Sequence, residues 1–390
     1  MSAILEKIPQ AFWQKLPSAR TTLLTSLFLL MSLSLLMIAS ASTPFALTKG
    51  LPPLKFFWSQ MTYVAVGVLA GIIAYRVIPI RMYRDFSMIA FVYLVTAILL
   101  VLTLIIADSI NGAKRWIELG PFNLQAAEIA KMMMIFVASD YMARRSDIRE
   151  SLWRGWPLLC LYAPILALLV LQPDYGSLIV IAATLLVIAF IGGAKLKDYL
   201  AIFGVFGAVA VFGLWAADYR RARLLSFWDP FNDIQDTDFQ LARSLIAFGR
   251  GQFSGVGYGD SVQKLAHLPE AHTDFLLAIT GEELGFLGVS SVLLLELLIV
   301  ISIMRISYKT LQRNQMFLSY SVFGVGTVLF GQVLINVGMN TGIMPTKGLT
   351  LPFYSFGGSS IVIALMMIGY VLKVDAESDG IHQRQENRRF

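Results

Sequence analysis

The segment LPEAHTDF brings two carboxylates and an imidazole together at residues 268–275. Glu270, His272 and Asp274 stand just before the chain enters an apolar run. Side chains of these types transfer protons or bind a divalent cation such as Mg²⁺ or Mn²⁺. An acidic residue in front of a helix is also a common N-terminal cap, here together with Thr273. The spacing alone therefore leaves a catalytic site and a helix cap both open.

Basic side chains accompany this segment and could bind the pyrophosphate of a lipid-linked substrate. The same charges also suit contact with anionic lipid headgroups, so neither function is selected by charge alone. The basic residues in question are Arg220, Arg221, Arg223, Arg243, Arg250, Lys264 and, in another loop, Lys347.

Charged residues also occur inside apolar runs, where each costs roughly 2.5–3.5 kcal/mol on insertion scales. Glu128 and Lys131 stand three residues apart, so they share a helix face and can pair. Such a pair either ties two helices together or forms a polar patch that contacts a substrate headgroup. Glu282 and Glu283 are expected at the outer water interface. The deeper Glu296 is as consistent with a bond to a neighbouring helix as with a function.

Several other chemistries lack their sequence signatures. A zinc protease would require the HExxH motif, which is absent, and the chain has only three histidines. The acidic run 229–238 lacks the spacing of a calcium-binding EF-hand, and the glycines of 251–259 lack the strand and helix that flank a nucleotide loop. The single cysteine, Cys160, permits no intramolecular disulfide.

The elements that must position these residues are membrane-spanning helices. The 390 residues are 57% hydrophobic and 14% charged, with a mean hydropathy of +0.69, which excludes an ordinary soluble domain. Apolar runs of about 20 residues, the length that crosses ~30 Å of hydrocarbon, recur about ten times. The sequence therefore predicts an all-α polytopic integral membrane protein. The predicted spans are 21–43, 56–79, 86–107, 124–143, 156–171, 176–193, 198–217, 276–304, 315–340 and 352–373.

Lys and Arg concentrate in the short loops of one side, which predicts that side to be cytoplasmic and explains the net charge of +6 without nucleic acid. The predicted organisation is a cytoplasmic N-terminal segment at 1–20, a transmembrane domain at 21–373 and a cytoplasmic tail at 374–390. The connection 218–275, on the outer side between predicted spans seven and eight, is long enough to indicate function. Within it, residues 239–248 repeat apolar side chains at helical spacing and predict a short interfacial helix.

Read together, several motifs resemble the SEDS family of shape and division proteins over nearly the whole chain. Ala271 and the segment PTKGLTLP at 345–352 are similar to the division branch rather than the elongation branch. One departure is Ala126-Ala127 where the family commonly has Pro-Ser, which puts the local kink and hydroxyl bonding at that helix start in doubt. The motifs are NGAKRWIELGPF (111–122), LQPDYGS (171–177), FWDPF (227–231), SLIAFGRG through VQKLAHLPEAHTDF (244–275), EELGFLG (282–288) and NTGIMPTKGLTLPFYSFGGSS (340–360).

This resemblance implies ten transmembrane helices and a glycosyltransferase that polymerises lipid II into glycan strands at the outer face of the bacterial cytoplasmic membrane, at the division septum. The family's essential loop aspartate falls on Asp274, with a divalent cation there left open and no organic cofactor expected. The implied partners are a class B penicillin-binding protein as FtsI-type transpeptidase and the division proteins FtsQ, FtsL, FtsB and FtsN. The residues expected to bind substrate or support the site are Glu128, Lys131, Arg115, Arg243, Lys264, Glu270, His272, Lys347, Ser359 and Ser360.

Two rival functions stay open at the level of the sequence. A lipid II flippase would need a polar path across the bilayer, whereas most polar residues here gather at the outer end of the spans. A non-enzymatic scaffold that recruits the division transpeptidase would keep its function when Asp274 is replaced by asparagine.

Overall fold

The chain folds as a bundle of long helices, and the computed structural model describes residues 17–108, 113–120, 122–145, 155–195, 239–265, 267–344 and 348–386. Within these ranges there are eleven helices and one two-stranded hairpin. The helices are α1 (Ala19–Thr48), α2 (Lys55–Ile72, continued by a π-helical turn at Ile73–Val77), α3 (Ile80–Arg84), α4 (Phe86–Ile106), α5 (Ala126–Arg144), α6 (Trp156–Leu171), α7 (Tyr175–Ile191), α8 (Phe239–Gly251), α9 (Leu276–Gln312), α10 (Met316–Asn340) and α11 (Gly358–Glu386).

Six of the described helices are long and apolar enough to cross a membrane, namely α1, α2 with its π-helical turn, α4, α9, α10 and the Gly358–Ser378 part of α11. Helices α6 and α7 are apolar but shorter. These helices fall on predicted spans, so the helical membrane architecture is confirmed. The predicted span 198–217 lies outside the described residues, and the count of ten spans stays a prediction.

Helix α5 packs against α4, α6, α7, α10 and α11, and most of its 19 residues are buried. It is not one of the six helices whose composition alone would span a membrane, because its sequence includes Glu128, Lys131 and Asp140. Its neighbours, rather than its own hydropathy, therefore keep this helix inside the bundle.

Helices α2 and α11 approach each other closely because both carry glycine where they cross. A Cβ at Gly369 would lie 2.2 Å from the carbonyl oxygen of Gly71, and a Cβ at Gly67 would lie 2.7 Å from a methyl carbon of Leu365. Small residues at a crossing let backbones gain van der Waals contact, which drives helix association where lipid removes the hydrophobic effect.

Helix α9 bends at Gly285, whose φ of 66° favours glycine. The segment that follows α8 lies against this bend, main chain to main chain. Phe286 N donates to the carbonyl of Gln252 at 2.9 Å, and a Cβ at Gly255 would lie 2.1 Å from the carbonyl oxygen of Glu283. The bend therefore anchors the segment that leads from α8 towards Asp274.

A short hairpin stands at the entrance to α5. Strand β1 (Ile117–Leu119) pairs antiparallel with β2 (Phe122–Leu124), and Ile117 faces Leu124. The hairpin follows Arg115 directly, so this basic residue is held beside the start of α5.

Candidate active site

Asp274 lies in the loop between α8 and α9, two residues before α9 begins. Its half-buried carboxylate borders a small gap left by Gly348. A Cβ built at Gly348 would lie 3.0 Å from Asp274 Oδ2 and 3.5 Å from Arg115 Nη1. The fold thus brings a carboxylate and a guanidinium from separate motifs to one point beside Gly348, which is itself exposed.

The surroundings raise the pKa of the Asp274 carboxyl from 3.8 to about 7. Burial is the largest cause, because a poorly solvating environment disfavours the charged form. The negative charge of Glu270 raises the pKa further, whereas the Arg115 guanidinium lowers it. A carboxyl with this pKa is half ionised at neutral pH, which suits a group that accepts a proton during a reaction.

The helix-cap explanation of this segment is wrong. The N-cap of α9 is Phe275, and no side chain makes the capping bond. Thr273 Oγ1 donates instead to Glu270 Oε2 at 2.8 Å. The Asp274 carboxylate is consequently not used to begin the helix.

His272 is buried inside an aromatic cage. Its ring centroid lies 4.9 Å from that of Phe45, 4.8 Å from that of Phe56 and 5.6 Å from that of Phe356. Burial lowers the pKa of the imidazole, with partial opposition from the charge of Glu270. His272 therefore supports the site by packing the loop that carries Asp274 onto α1 and α2.

Arg115 is held by the segment that precedes α7. Its Nη2 donates to the carbonyl of Pro173 at 2.5 Å. Its Nε is buried without a hydrogen-bond partner among the described residues. One end of the guanidinium is thus fixed by the protein, while Nη1 lies beside Gly348, 3.5 Å from the position of an added Cβ.

Glu128 and Lys131 pair as predicted, with Lys131 Nζ 2.7 Å from Glu128 Oε1. Both side chains are buried within α5. Because the two partners belong to one helix, this bond does not itself tie two helices together. Removing two charges from water is costly, so the pair makes each charge tolerable in its surroundings.

The start of α5 is held by two other segments. Gln125 N donates to Ser359 Oγ at 3.0 Å, and Gln125 Nε2 donates to Asp174 Oδ2 at 3.2 Å. Asp174 also accepts from Ser177 N at 3.2 Å and caps α7. Ser359 is buried at the start of α5, while the neighbouring Ser360 is half-buried.

Glu282 and Glu283 are fully buried, which corrects the expectation that they stand at the water interface. Glu282 Oε1 lies 2.8 Å from Arg250 Nη1, and Glu283 Oε1 lies 2.7 Å from Lys264 Nζ. Ser40 Oγ donates to Glu283 as well. Two adjacent acids at the α9 bend thus require nearby cations, and these come from the last turn of α8 and from the loop that follows it.

Lys264 is accordingly buried, and its ammonium donates to Glu283, to Ser40 and to the carbonyl of Gly259. An ammonium with three protein acceptors has no free donor for pyrophosphate, since Lys has three donors in all. We therefore assign Lys264 to holding the loop rather than to the substrate.

Of the remaining basic residues predicted to contact substrate, Arg243 lies within the described part of the chain and four others do not. A helix is present at the predicted residues as α8, and on it the Arg243 guanidinium lies 5.1 Å from the ring centroid of Phe239. Its place in the membrane interface stays a prediction. Four basic residues lie outside the described residues: Arg220, Arg221, Arg223 and Lys347. Their predicted contact with substrate stays a prediction.

Glu296 is buried in α9, and neither of its carboxylate oxygens has a hydrogen-bond partner in the described ranges. The expected bond to a neighbouring helix is therefore not seen among those residues.

Three polar residues around the site were not singled out from the sequence, namely Asp174, Asn336 and Asn340. Asn336 Nδ2 and Asn340 Nδ2 each donate to the backbone carbonyl of Asp274 at 3.0 Å. The sequence does indicate the two asparagines, because two amide side chains one turn apart in an apolar helix are energetically unfavourable unless they form hydrogen bonds. Asp174 lies in the LQPDYGS motif, and an aspartate directly before a helix is a common N-cap, which would have indicated it.

The fold and site define a multi-pass helical membrane protein with a titratable aspartate at one end of its bundle. Residues 20–380 match the family model FTSW_RODA_SPOVE, described as "Cell cycle protein". The chain belongs to this family.

A relative from Acinetobacter baylyi, named "Probable peptidoglycan glycosyltransferase FtsW", is 36% identical over 96% of this chain and 93% of its own length. Thermus thermophilus rod shape determining protein RodA shares the fold with a TM-score of 0.66 at 25% identity, covering 91% of this chain and 96% of that one. A chain from "Structural coordination of polymerization and crosslinking by a peptidoglycan synthase complex" gives a TM-score of 0.76 at 24% identity, with 91% and 97% covered.

Proposed function

We propose that this chain is a peptidoglycan glycosyltransferase that polymerises lipid II at the outer face of the cytoplasmic membrane during septal division. Family membership and the name of the Acinetobacter baylyi relative support this activity. The observation that carries the proposal is Asp274, an aspartate with a pKa of about 7 that lies beside the exposed Gly348 and close to Arg115.

Asp274 is the proposed general base. The 4-hydroxyl of the acceptor's terminal GlcNAc is a poor nucleophile at neutral pH. As its oxygen bonds to the anomeric carbon of the MurNAc donor, Asp274 takes the hydroxyl proton. The bond from that carbon to pyrophosphate breaks, and its electron pair leaves with undecaprenyl pyrophosphate. General-base assistance of this kind is worth roughly 10² to 10⁴ in rate.

Arg115 is the proposed partner of the leaving group. Negative charge grows on the pyrophosphate as its bond to carbon breaks, and a fixed guanidinium beside the reacting atoms stabilises that charge. Arg115 is anchored to Pro173 through Nη2, and its Nη1 lies beside the exposed Gly348. The same positive charge keeps the pKa of Asp274 from rising further.

A divalent cation, Mg²⁺ or Mn²⁺, is included in the proposal as an additional charge partner for the pyrophosphate. Among the described residues no group of three or more His, Cys, Asp or Glu side chains is arranged to hold a metal ion. Asp274 and Glu270 are the carboxylates that would contribute, and substrate phosphates and water would supply the other ligands, as is common for Mg²⁺.

The proposal extends to partners and location. A chain that polymerises glycan leaves cross-linking to another protein, for which a class B penicillin-binding protein of FtsI type is proposed. FtsQ, FtsL, FtsB and FtsN are proposed as further division partners at the septum. Co-purification with a single-pass transpeptidase tests this part separately from the chemistry.

The decisive experiment is a polymerisation assay with purified protein, its transpeptidase partner and lipid II in detergent, where flipping has no meaning. We expect glycan product from the wild type, and the assay compares the amount of product formed with and without Mn²⁺. Asp274→Asn keeps the size of the side chain but removes its basicity, so product formation should fall at least about 10²-fold. Asp260→Asn, the same change at an exposed aspartate of the same loop, is the matched control and should retain wild-type activity.

Two outcomes contradict the proposal at different levels. Absence of product from wild-type protein that is folded and bound to its partner would refute polymerase activity. Near-normal product from Asp274→Asn, with an unchanged thermal melt, would remove Asp274 from the mechanism while leaving the activity in place.

A further inference from the structure

Two asparagines of α10 converge on one oxygen beside the site. Asn336 and Asn340 are four residues apart, so they lie on the same face of the helix. Both side chains are fully buried. Each donates its Nδ2 to the backbone carbonyl oxygen of Asp274 at 3.0 Å.

The acceptors in this arrangement leave no ambiguity about the amide orientation. Backbone carbonyls only accept hydrogen bonds, so the amide nitrogen must face them. Asn336 Nδ2 also donates to the carbonyl of Leu349 at 2.7 Å. A single side chain therefore joins the Asp274 loop to the segment of Gly348, and these two segments form the gap described above.

The Asp274 carbonyl depends on these amides because α9 does not use it. The described bonds of the first turn, from the N–H groups of Ala278 and Ile279, go to the carbonyl of Phe275. A buried carbonyl without a hydrogen-bond partner is unfavourable, because it loses its bonds to water without replacing them. The two amides satisfy it and fix the backbone from which the carboxylate projects.

A third contact supports the pair from α8. The buried hydroxyl of Ser244 donates to the backbone carbonyl of Asn340 at 2.8 Å. Asn340 Nδ2 further contacts the carbonyl and Oδ1 of Asn336, at 2.9 Å and 3.2 Å. The two amides are thus bonded to each other, and the main chain of Asn340 is bonded to a neighbouring helix, so the pair forms a fixed support.

We propose that Asn336 and Asn340 are positioning residues that set where the Asp274 carboxylate stands relative to Gly348 and Arg115. This inference rests on the proposed function, in which Asp274 is the general base. With the main chain of Asp274 fixed, only two side-chain torsions determine the position of the carboxylate. A displacement of about 1 Å at a reacting group can cost 10²-fold in rate.

The test uses Asn336→Leu and Asn340→Leu, which keep the approximate shape but remove the donors, in full-length protein with its partner. Each should lower kcat for lipid II polymerisation about 10-fold, and the double variant up to about 100-fold, with KM nearly unchanged. The acid limb of the pH–rate profile should also move, since the environment of the carboxyl changes. Gln332→Leu, a buried polar residue one turn earlier on α10, is the control and should keep wild-type kcat.

A double-mutant cycle separates positioning from general destabilisation. If the amides act through Asp274, adding Asn340→Leu to Asp274→Asn should lower the residual rate no further. Should Asn336→Leu not fold, Asn340→Ser shortens the reach while retaining a polar group and gives the same comparison.

Each result has a defined meaning. Full activity of the asparagine variants, together with an impaired Asp274→Asn protein, would overturn the positioning role of the asparagines and leave the general-base assignment of Asp274 in place. A loss that adds to that of Asp274→Asn, or that Gln332→Leu shares, would also overturn it. An Asp274→Asn protein with wild-type activity would overturn this inference together with the general-base assignment.

Discussion

Asp274→Asn should make the protein more stable above neutral pH while it removes activity. The carboxyl of Asp274 has its pKa raised to about 7 by burial and by the charge of Glu270. A carboxyl whose pKa is raised in this way favours its protonated form in the folded protein. Asparagine resembles that protonated form and carries no charge at any pH, so it avoids the cost of ionisation.

The size and sign of the effect follow from proton linkage. Below about pH 4 the folded and unfolded states both bind the proton, and the favourable effect of the raised pKa is fully present. Between the unfolded value of 3.8 and the folded value of about 7, only the folded state keeps its proton, so stability falls as pH rises. A shift from 3.8 to about 7, at 1.36 kcal/mol per unit, sets an upper bound of about 4 kcal/mol. Because the Asp274 side chain is only half-buried, solvent reduces this, and we expect about 2 kcal/mol.

Thermal unfolding in detergent, followed by tryptophan fluorescence from pH 4.5 to 8.5, measures this directly. The difference in Tm between Asp274→Asn and wild type should grow as pH rises to about 7 and then become constant. A gain that is the same at every pH would mean that the substitution acts by some route other than ionisation. A variant less stable than wild type at pH 8 would refute the reasoning.

Three further predictions concern the same site and the buried pair. In the pH–rate profile, Glu270→Gln should move the acid limb to lower pH and Arg115→Gln should move it to higher pH, because these charges respectively raise and lower the pKa of Asp274. Gly348→Ala places a methyl carbon 3.0 Å from Asp274 Oδ2, so kcat should fall roughly 10-fold while lipid II binding is retained. Glu128→Ala leaves a buried ammonium unpaired and should cost about 3–5 kcal/mol by thermal or denaturant unfolding, with partial recovery when the two charges are exchanged.

Matched controls exist for two of these changes. Gly331→Ala, at a glycine with no atom within 4 Å of the added Cβ, should leave kcat unaltered. Asp140→Ala breaks a pair with the exposed Arg144 on the same helix α5 and should cost less than about 1 kcal/mol. Shifts of both acid limbs in one direction, or equal losses from Glu128→Ala and Asp140→Ala, would contradict the electrostatic account.

Local pattern was sufficient to predict the helices and the Glu128–Lys131 pair. Apolar runs of spanning length reappear as α1, α2, α4, α9, α10 and α11. Pairing at a spacing of three residues needs only helical geometry, so it follows from the sequence without knowledge of the fold.

Contacts between distant segments were not predictable in the same way. Nothing in the spacing indicates that Arg115 and Asp274 meet at Gly348, since that requires the hairpin before α5 and the loop before α9 to share one end of the bundle. The burial of Glu282 and Glu283 was missed for the same reason. Their cations come from the end of α8 and from the loop that folds back on the α9 bend, and a hydropathy profile treats this whole connection as water-exposed.

The burial of α5 has a consequence for how the chain is made. A segment with Glu128 and Lys131 near its start would pay roughly 2.5–3.5 kcal/mol for each charge if it entered lipid alone. Released from the translocon by itself, α5 should therefore partition poorly into the bilayer, and it should be retained only beside helices that were synthesised earlier, such as α4. An insertion assay based on glycosylation tags would show this as weak insertion of isolated α5 and efficient insertion of the α4–α5 pair. Biosynthesis of this protein then depends on the order of its helices as well as on their individual hydropathies.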